Sequence, residues 1–232
     1  TDRQFFIQCN SIELENMKFL YSDLNDTIAL PDHNSQTVSF TDLEIKKIDA
    51  RIEDLFFTPD TVQAFLKKLS FIEKSGFSLE DITSGFSMNN RFMNFNNLKI
   101  KTPFSRIETD LLFQYDSLSY FSDFLNKVKI NTSLDHAVLH LSDIAWFTPD
   151  LQGITTHVRI SGHISGVISN IKGQNMTIEY GRTTLLSGNI TMTGLPEFSN
   201  TFIQFKLKKL ITTPADLETI PLFPFYDNRR IQ

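Results

Sequence analysis

Two features of the chain predict a mainly β protein built on one long, one-sided antiparallel sheet with two or three short amphipathic helices. The first is the stretch from Ile154 to Phe205, where apolar and polar residues alternate almost without interruption and the pattern restarts after brief Gly and Asn punctuation. In its clearest part the even positions read Ile154, Thr156, Val158, Ile160, Gly162, Ile164, Gly166 and Ile168. The odd ones read Thr155, His157, Arg159, Ser161, His163, Ser165, Val167 and Ser169. Successive strand side chains point to opposite faces, so one face is nearly free of polar groups and the other carries charge, hydroxyl and imidazole. The second feature is 22 Phe against one Trp and five Tyr. Phenylalanine brings large apolar area without a polar handle, which suits an aromatic core between sheet and helices or the lining of an apolar path.

Read in order, the first strands are Phe5–Asn10 and Ile12–Tyr21, followed by a polar loop around Asp26–Ser35. Alternation returns from Thr37 to Phe57, and its parity changes along the way, which implies bulges or turns. Thr58-Pro59-Asp60 has the chemistry of a helix start, and Val62, Phe65, Leu66 and Leu69 follow at helical spacing, predicting a helix over about 59–71. Gly76–Ile82 returns into sheet, and Leu98–Lys101 and Ser105–Tyr115 are strands. Leu118, Phe121, Phe124, Leu125 and Val128 form the stripe of a second helix over about 117–129, which should lie across the sheet or plug an open end of it. Ala137–Phe147, Ile154–Ile168, Met176–Tyr180, Leu185–Thr193 and Thr201–Leu210 are strands again, and Thr213-Pro214 opens a third short helix. The whole reads as one β-rich domain, 1–232.

The formal charge is −5 and the basic residues are scattered, which disfavours nucleic acid as a partner. Cys9 is alone, so no intrachain disulfide forms. No apolar stretch approaches the ~20 residues of a membrane-spanning helix. There is no nucleophile elbow, phosphate loop, dinucleotide fingerprint or zinc-protease motif. His136 and His140 share parity, yet on a strand they stand roughly 13 Å apart, too far for one metal ion, and His157 and His163 are further apart still. They read as solvated sheet-face residues. Carboxylates such as Glu13, Glu15, Asp49, Glu53, Asp143 and Glu179 are ungrouped. The chain therefore carries no catalytic, metal or cofactor assignment. Its candidate site is the apolar face itself: Val158, Ile160, Ile164 and Ile168, joined by Ile178, Ile190 and Met192, because a one-residue slip would turn the whole set into solvent.

The run Ser142-Asp143-Ile144 with Phe147 and Pro149, then Ile160-Ser161-Gly162-His163-Ile164-Ser165-Gly166, resembles the Bacteroidota branch of the TamB family. So do Asn170-Ile171-Lys172-Gly173, Gly181-Arg182-Thr183-Thr184 with Gly188, Gly194-Leu195-Pro196-Glu197, Thr201-Phe202-Ile203 and Leu210-Ile211-Thr212-Thr213-Pro214-Ala215-Asp216-Leu217. The phrases cover roughly 134–221; the earlier half matches in style only. TamB proteins are AsmA-like and similar to bridge-like lipid-transfer proteins. The resemblance implies a long curved sheet, a β-taco with an open apolar groove, of which this chain would be an internal segment. It also implies a periplasmic location, with an inner-membrane anchor outside this segment. Phospholipid acyl chains would be the cargo, transport toward the outer membrane the activity, and an Omp85-type barrel protein the partner. Asp26-Thr27-Ile28, Asp60-Thr61-Val62 and Asp116-Ser117-Leu118 are similar to O-glycosylation acceptors of Bacteroidota envelope proteins. The alternative expectation is a closed β-sandwich serving as an adhesin or glycan-binding module.

Overall fold

The computed structural model describes residues 5–22, 37–197 and 200–217; the loop around Asp26–Ser35 and the triplet at Asp26 lie outside them. The strands are β1 Ile7–Ser22, β2 Asp42–Phe57, β3 Thr61–Glu73, β4 Ser78–Leu79, β5 Asp81–Asn89 and β6 Phe92–Lys101. They continue with β7 Arg106–Gln114, β8 Lys129–His140, β9 His157–Val167, β10 Asn170–Tyr180, β11 Thr184–Thr193 and β12 Phe202–Ile211. All join one antiparallel meander in the order β1-β2-β3-β5-β6-β7-β8-β9-β10-β11-β12, with β4 paired to β3 alone. The sheet is single and open, ending at β1 and β12 rather than folding into the two packed layers of a sandwich.

Interruptions of the ladder recur, and the backbone shows how they are made. Lys47 and Asp54 in β2, Asn97 in β6, His136 in β8 and Asn175 in β10 have φ near +50°, and each falls where the register shifts. Asn16 does the same in β1. An extra left-handed residue flips the alternation, and Asn and Asp tolerate that conformation best among side-chain-bearing residues. The displaced N–H is met by a neighbouring strand: Asn16 N–H donates to Asp49 at 2.9 Å, and Asn97 N–H to Asp110 at 2.7 Å. Likewise His136 N–H donates to Ser161 Oγ at 2.9 Å and Asn175 N–H to Asn189 at 2.9 Å. Bulges of this kind bend a strand and raise its twist.

They also correct the first helix. Residues 61–73 form β3, not a helix over 59–71. Val62, Ala64 and Leu66 occupy one face until a register shift between Arg51 and Ile52 of the facing strand lets one extra β3 residue in, and Leu69 resumes the same face. A period of two interrupted by one residue reproduces the 62, 66, 69 spacing of a helix. Thr58-Pro59-Asp60 closes the β2–β3 hairpin, with Thr58 Oγ1 accepting from Thr61 N–H at 3.0 Å. Two more expectations change. Phe5–Asn10 and Ile12–Tyr21 are parts of one strand, and the strand read as Ala137–Phe147 stops at His140, where α2 (Leu141–Ala145) begins. His140 caps it, its Nδ1 accepting from Ser142 N–H at 3.3 Å.

The second helix is present but shorter than 117–129. A 3-10 turn, Leu118–Asp123, runs into α1, Phe124–Lys127, and Lys129 already belongs to β8. The third forms as α3, Pro214–Leu217. Among the described residues, apolar side chains hidden from water are few and mostly small or mid-sized, and Val128 is the largest fully buried one.

Candidate functional site

Residues directly opposite one another in an antiparallel pair share a face, so the register can be followed from strand to strand. One row begins at Ile7 and passes through Phe57, Val62, Met88, Met93 and Phe113. It continues through Ile130, Gly166, Ile171 and Met192 to Ile203. Every strand on the eleven-strand path contributes one member, and none is polar. A second row runs Ala64, Phe86, Phe95, Leu111, Thr132, Ile164, Gly173, Ile190 and Phe205, with Thr132 its one polar residue. A third joins Ala137, Ile160, Ile178, Leu186 and Leu210. On the opposite face Gln63, Ser87, Asn94, Leu112, Asn131, Ser165, Lys172, Thr191 and Gln204 form a mainly polar ladder.

Five of the seven expected site residues fall into these rows. Ile160, Ile164, Ile178, Ile190 and Met192 take the places given above and are half-buried; Val158, between Leu139 and Tyr180, is buried at 8% exposure. Ile168 lies in the turn between β9 and β10, outside the strand, so alternation does not place it, and Gly166 and Ile171 fill that end of the row. The members from β1 to β8 were missed because only the bulge positions restore their parity; the Asn and Asp residues at the parity changes were the available signal. Two glycines allow close approach: a Cβ on Gly173 would stand 2.6 Å from an Ile190 methyl, and one on Gly162 2.6 Å from Met176 Sδ.

Helical segments rest on this face at opposite strand ends. Phe124 of α1 meets Phe113 edge-on at 5.4 Å between centroids, and Phe121 meets Tyr115 at 4.9 Å. The linker after α2 reaches back to the segments before β2 and after β3: Trp146 covers Gly76, Phe147 meets Phe77 at 5.0 Å, and Val38 N–H donates to the Trp146 carbonyl at 2.8 Å. α2 is tied down by Asp143, a buried carboxylate that accepts from Thr102 Oγ1 at 2.6 Å and Ser105 Oγ at 2.5 Å. Asp216 of α3 clamps the β10–β11 turn in the same way, accepting from Thr183 and Thr184, and these bonds hold its carboxyl far below the usual range.

Ser105, His140 and Asp143 carry the residue types of a hydrolase triad but are wired differently. Ser105 Oγ donates to Asp143 and accepts the backbone N–H of His140 at 2.9 Å, while the imidazole is occupied by Ser142, so no base addresses the hydroxyl. The register sets His140 directly against His157, ring centroids 4.4 Å apart, and His140 is 7% exposed rather than solvated. Burial pushes its pKa down, helped by the neighbouring His157 and opposed by Asp143 and the Thr155 carbonyl. His136 is exposed at its bulge, and His163 Nδ1 lies 3.1 Å from Ser133 Oγ. Among the described residues, no three His, Cys, Asp or Glu come together to hold a metal ion. Ser117 caps the 3-10 turn through Ser119 N–H, and Thr61 opens β3, its N–H donating to Thr58 Oγ1 across the hairpin turn. Among the described residues, no helix is long and apolar enough to cross a membrane.

No family model, curated protein or solved structure matches the chain.

Proposed function

We propose that this chain is a non-enzymatic segment of a lipid-transfer conduit, with acyl chains lying on the apolar face and head groups in water at the open seam. The observation that supports it is the uninterrupted apolar row across the eleven strands of an open sheet. Ten inter-strand steps make that row about 48 Å long. A bilayer core of ~30 Å holds two tails end to end, so the row matches about three tails in length. Each methylene taken from water onto it contributes about 0.8 kcal/mol, enough to hold a lipid while leaving it free to slide, because the rows repeat with little variation. The mechanism is passive, and direction comes from outside the segment. In the setting implied by the resemblance to TamB, the cargo is phospholipid moving between inner and outer membranes, with an Omp85-type barrel at the far end.

The test is a photo-crosslinking amino acid at Ile164 or at His163, followed by mass spectrometry of captured and copurified lipid. Capture of lipid from position 164 and not from 163 is the expected result; capture from 163 alone, or from neither, refutes the reading.

A further inference from the structure

Where β7 ends and β8 begins, the rim of the sheet carries a cleft that the apolar face does not explain. It encloses about 290 Å³ and is lined by Arg91, Lys127 and Lys129 together with Gln114, Asp116 and Tyr120. Three cations thus converge in a chain whose formal charge is −5. Asp116 lies 3.7 Å from Arg91 and accepts from the Tyr120 hydroxyl at 3.2 Å, and Asp123 lies 3.4 Å from Lys127. Lys129 meets no carboxylate among the described residues. Three positive charges against two negative ones leave one unanswered. The walls of the cleft are anchored: Asn89 Oδ1 accepts the N–H groups of Arg91 and Phe92 at 2.8 and 2.9 Å, and the buried Tyr115 donates its hydroxyl to the Asn89 and Phe92 carbonyls and its N–H to the Arg91 carbonyl. On the other side Val128, fully buried, fixes the step between Lys127 and Lys129. The cations stand on fixed backbone with their side chains in water, so an anion meets them at little ordering cost.

We infer that this cleft takes the phosphate group of a lipid whose tails lie on the apolar row; the inference rests on the conduit reading and names the chemistry of the cargo's head. Arg91 offers a planar fork to the phosphate oxygens, Lys127 and Lys129 supply point charges, and the Gln114 amide is a neutral donor. A phosphodiester brings a single negative charge, which matches the one left over. Gln114 and Lys129 adjoin Phe113 and Ile130, both members of the uninterrupted row, so about 3.3 Å of strand separates the cleft from it. Neighbouring side chains alternate in face, so a head group held here sits over the rim while its tails reach back to the row. The volume lies at the small end of ligand pockets, which suits a head group and leaves the tails outside.

Isothermal titration calorimetry in phosphate-free buffer, with dihexanoyl phosphatidylglycerol, uncharged dihexanoylglycerol and inorganic phosphate as probes, tests this. The phosphatidylglycerol should bind about tenfold more tightly than dihexanoylglycerol, and more tightly than inorganic phosphate, which gains nothing from the row. Combining Arg91→Gln with Lys129→Gln should erase the preference between the two lipids. Dihexanoylglycerol binding and the melting temperature should stay as in the wild type, because both side chains are exposed. Lys99→Gln, toward the other end of β6, should keep the preference and controls for general attraction. Equal binding of the two lipids, a preference that survives the Arg91 and Lys129 changes, or one lost equally in Lys99→Gln overturns the cleft and leaves the row standing. Inorganic phosphate binding as tightly as the phosphatidylglycerol makes the ligand a soluble phosphate and overturns the head-group assignment. Binding of neither lipid overturns the conduit reading, and this proposal with it.

Discussion

Ile164→Asn distinguishes an open apolar face from a closed core. Ile164 is half-buried, flanked by Thr132 and Gly173. Fully burying an isoleucine side chain contributes about 1.5–3 kcal/mol, so a half-covered site forfeits about 1–1.5 kcal/mol when the alkyl group is lost. The new amide keeps access to water and adds little more. For a chain of this length that is a fall in melting temperature of about 2–6 °C. Val158→Asn is the control, because Val158 is 8% exposed. There the lost burial is joined by about 1–3 kcal/mol for an amide without partners, and the shift should be on the order of 10 °C. Differential scanning fluorimetry measures both, and lipid retained after detergent-free purification is read in parallel. Ile164→Asn should lose lipid with a small thermal shift. If it melts as early as Val158→Asn, the face is packed against something and the groove argument fails.

Asn97→Val should cost about 1–2 kcal/mol in urea denaturation, because a β-branched residue is forced into a left-handed conformation, whereas Asn97→Gly should be close to neutral. Gly173→Val, whose Cβ would stand 2.6 Å from Ile190, should cost about 1–3 kcal/mol through overpacking, measured the same way. His140 titrates below its usual 6.5 in the folded protein, so the unfolded chain takes up its proton first: stability is full above 6.5 and falls as pH drops from there. His140→Asn keeps a cap acceptor for Ser142 and should flatten the change in melting temperature between neutral and mildly acidic pH. Glu44 is drawn down from 4.5 to about 2 by hydrogen bonds from Lys18 and Lys46, so its contribution should vanish as pH falls from about 4.5 to 2, and Glu44→Gln should remove that acid limb from a pH–melting curve.

The architecture was legible where alternation ran unbroken: β9 holds its parity from His157 to Val167, so Val158, Ile160 and Ile164 share one face of the sheet. Legibility failed at single residues. Lys67, the extra residue between Leu66 and Lys68, made β3 look helical, since alternation and helical spacing become indistinguishable over one bulge. The His140–His157 pair could not be seen at all, because it depends on the register of two strands separated by sixteen residues of linker and helix. α2 was hidden for a related reason. What ends β8 is a bond from Asp143 to a hairpin forty residues upstream, and local propensity carries no trace of it.

The left-handed bulge residues make the chain unevenly tolerant of changes in length. Deleting Asn97 would leave Met93, Phe95, Leu98 and Ile100 in plain alternation with Asn94, Asn96, Lys99 and Lys101, so β6 would keep its apolar side and lose only the bulge. Inserting one residue midway between bulges would invert everything up to the next one, and a second insertion there would set it right. Gains and losses should therefore be found at the bulges themselves, in compensating pairs within a strand, or at the hairpin tips. Related chains are best aligned by which residues look inward, with gaps allowed inside strands, rather than by keeping strands ungapped.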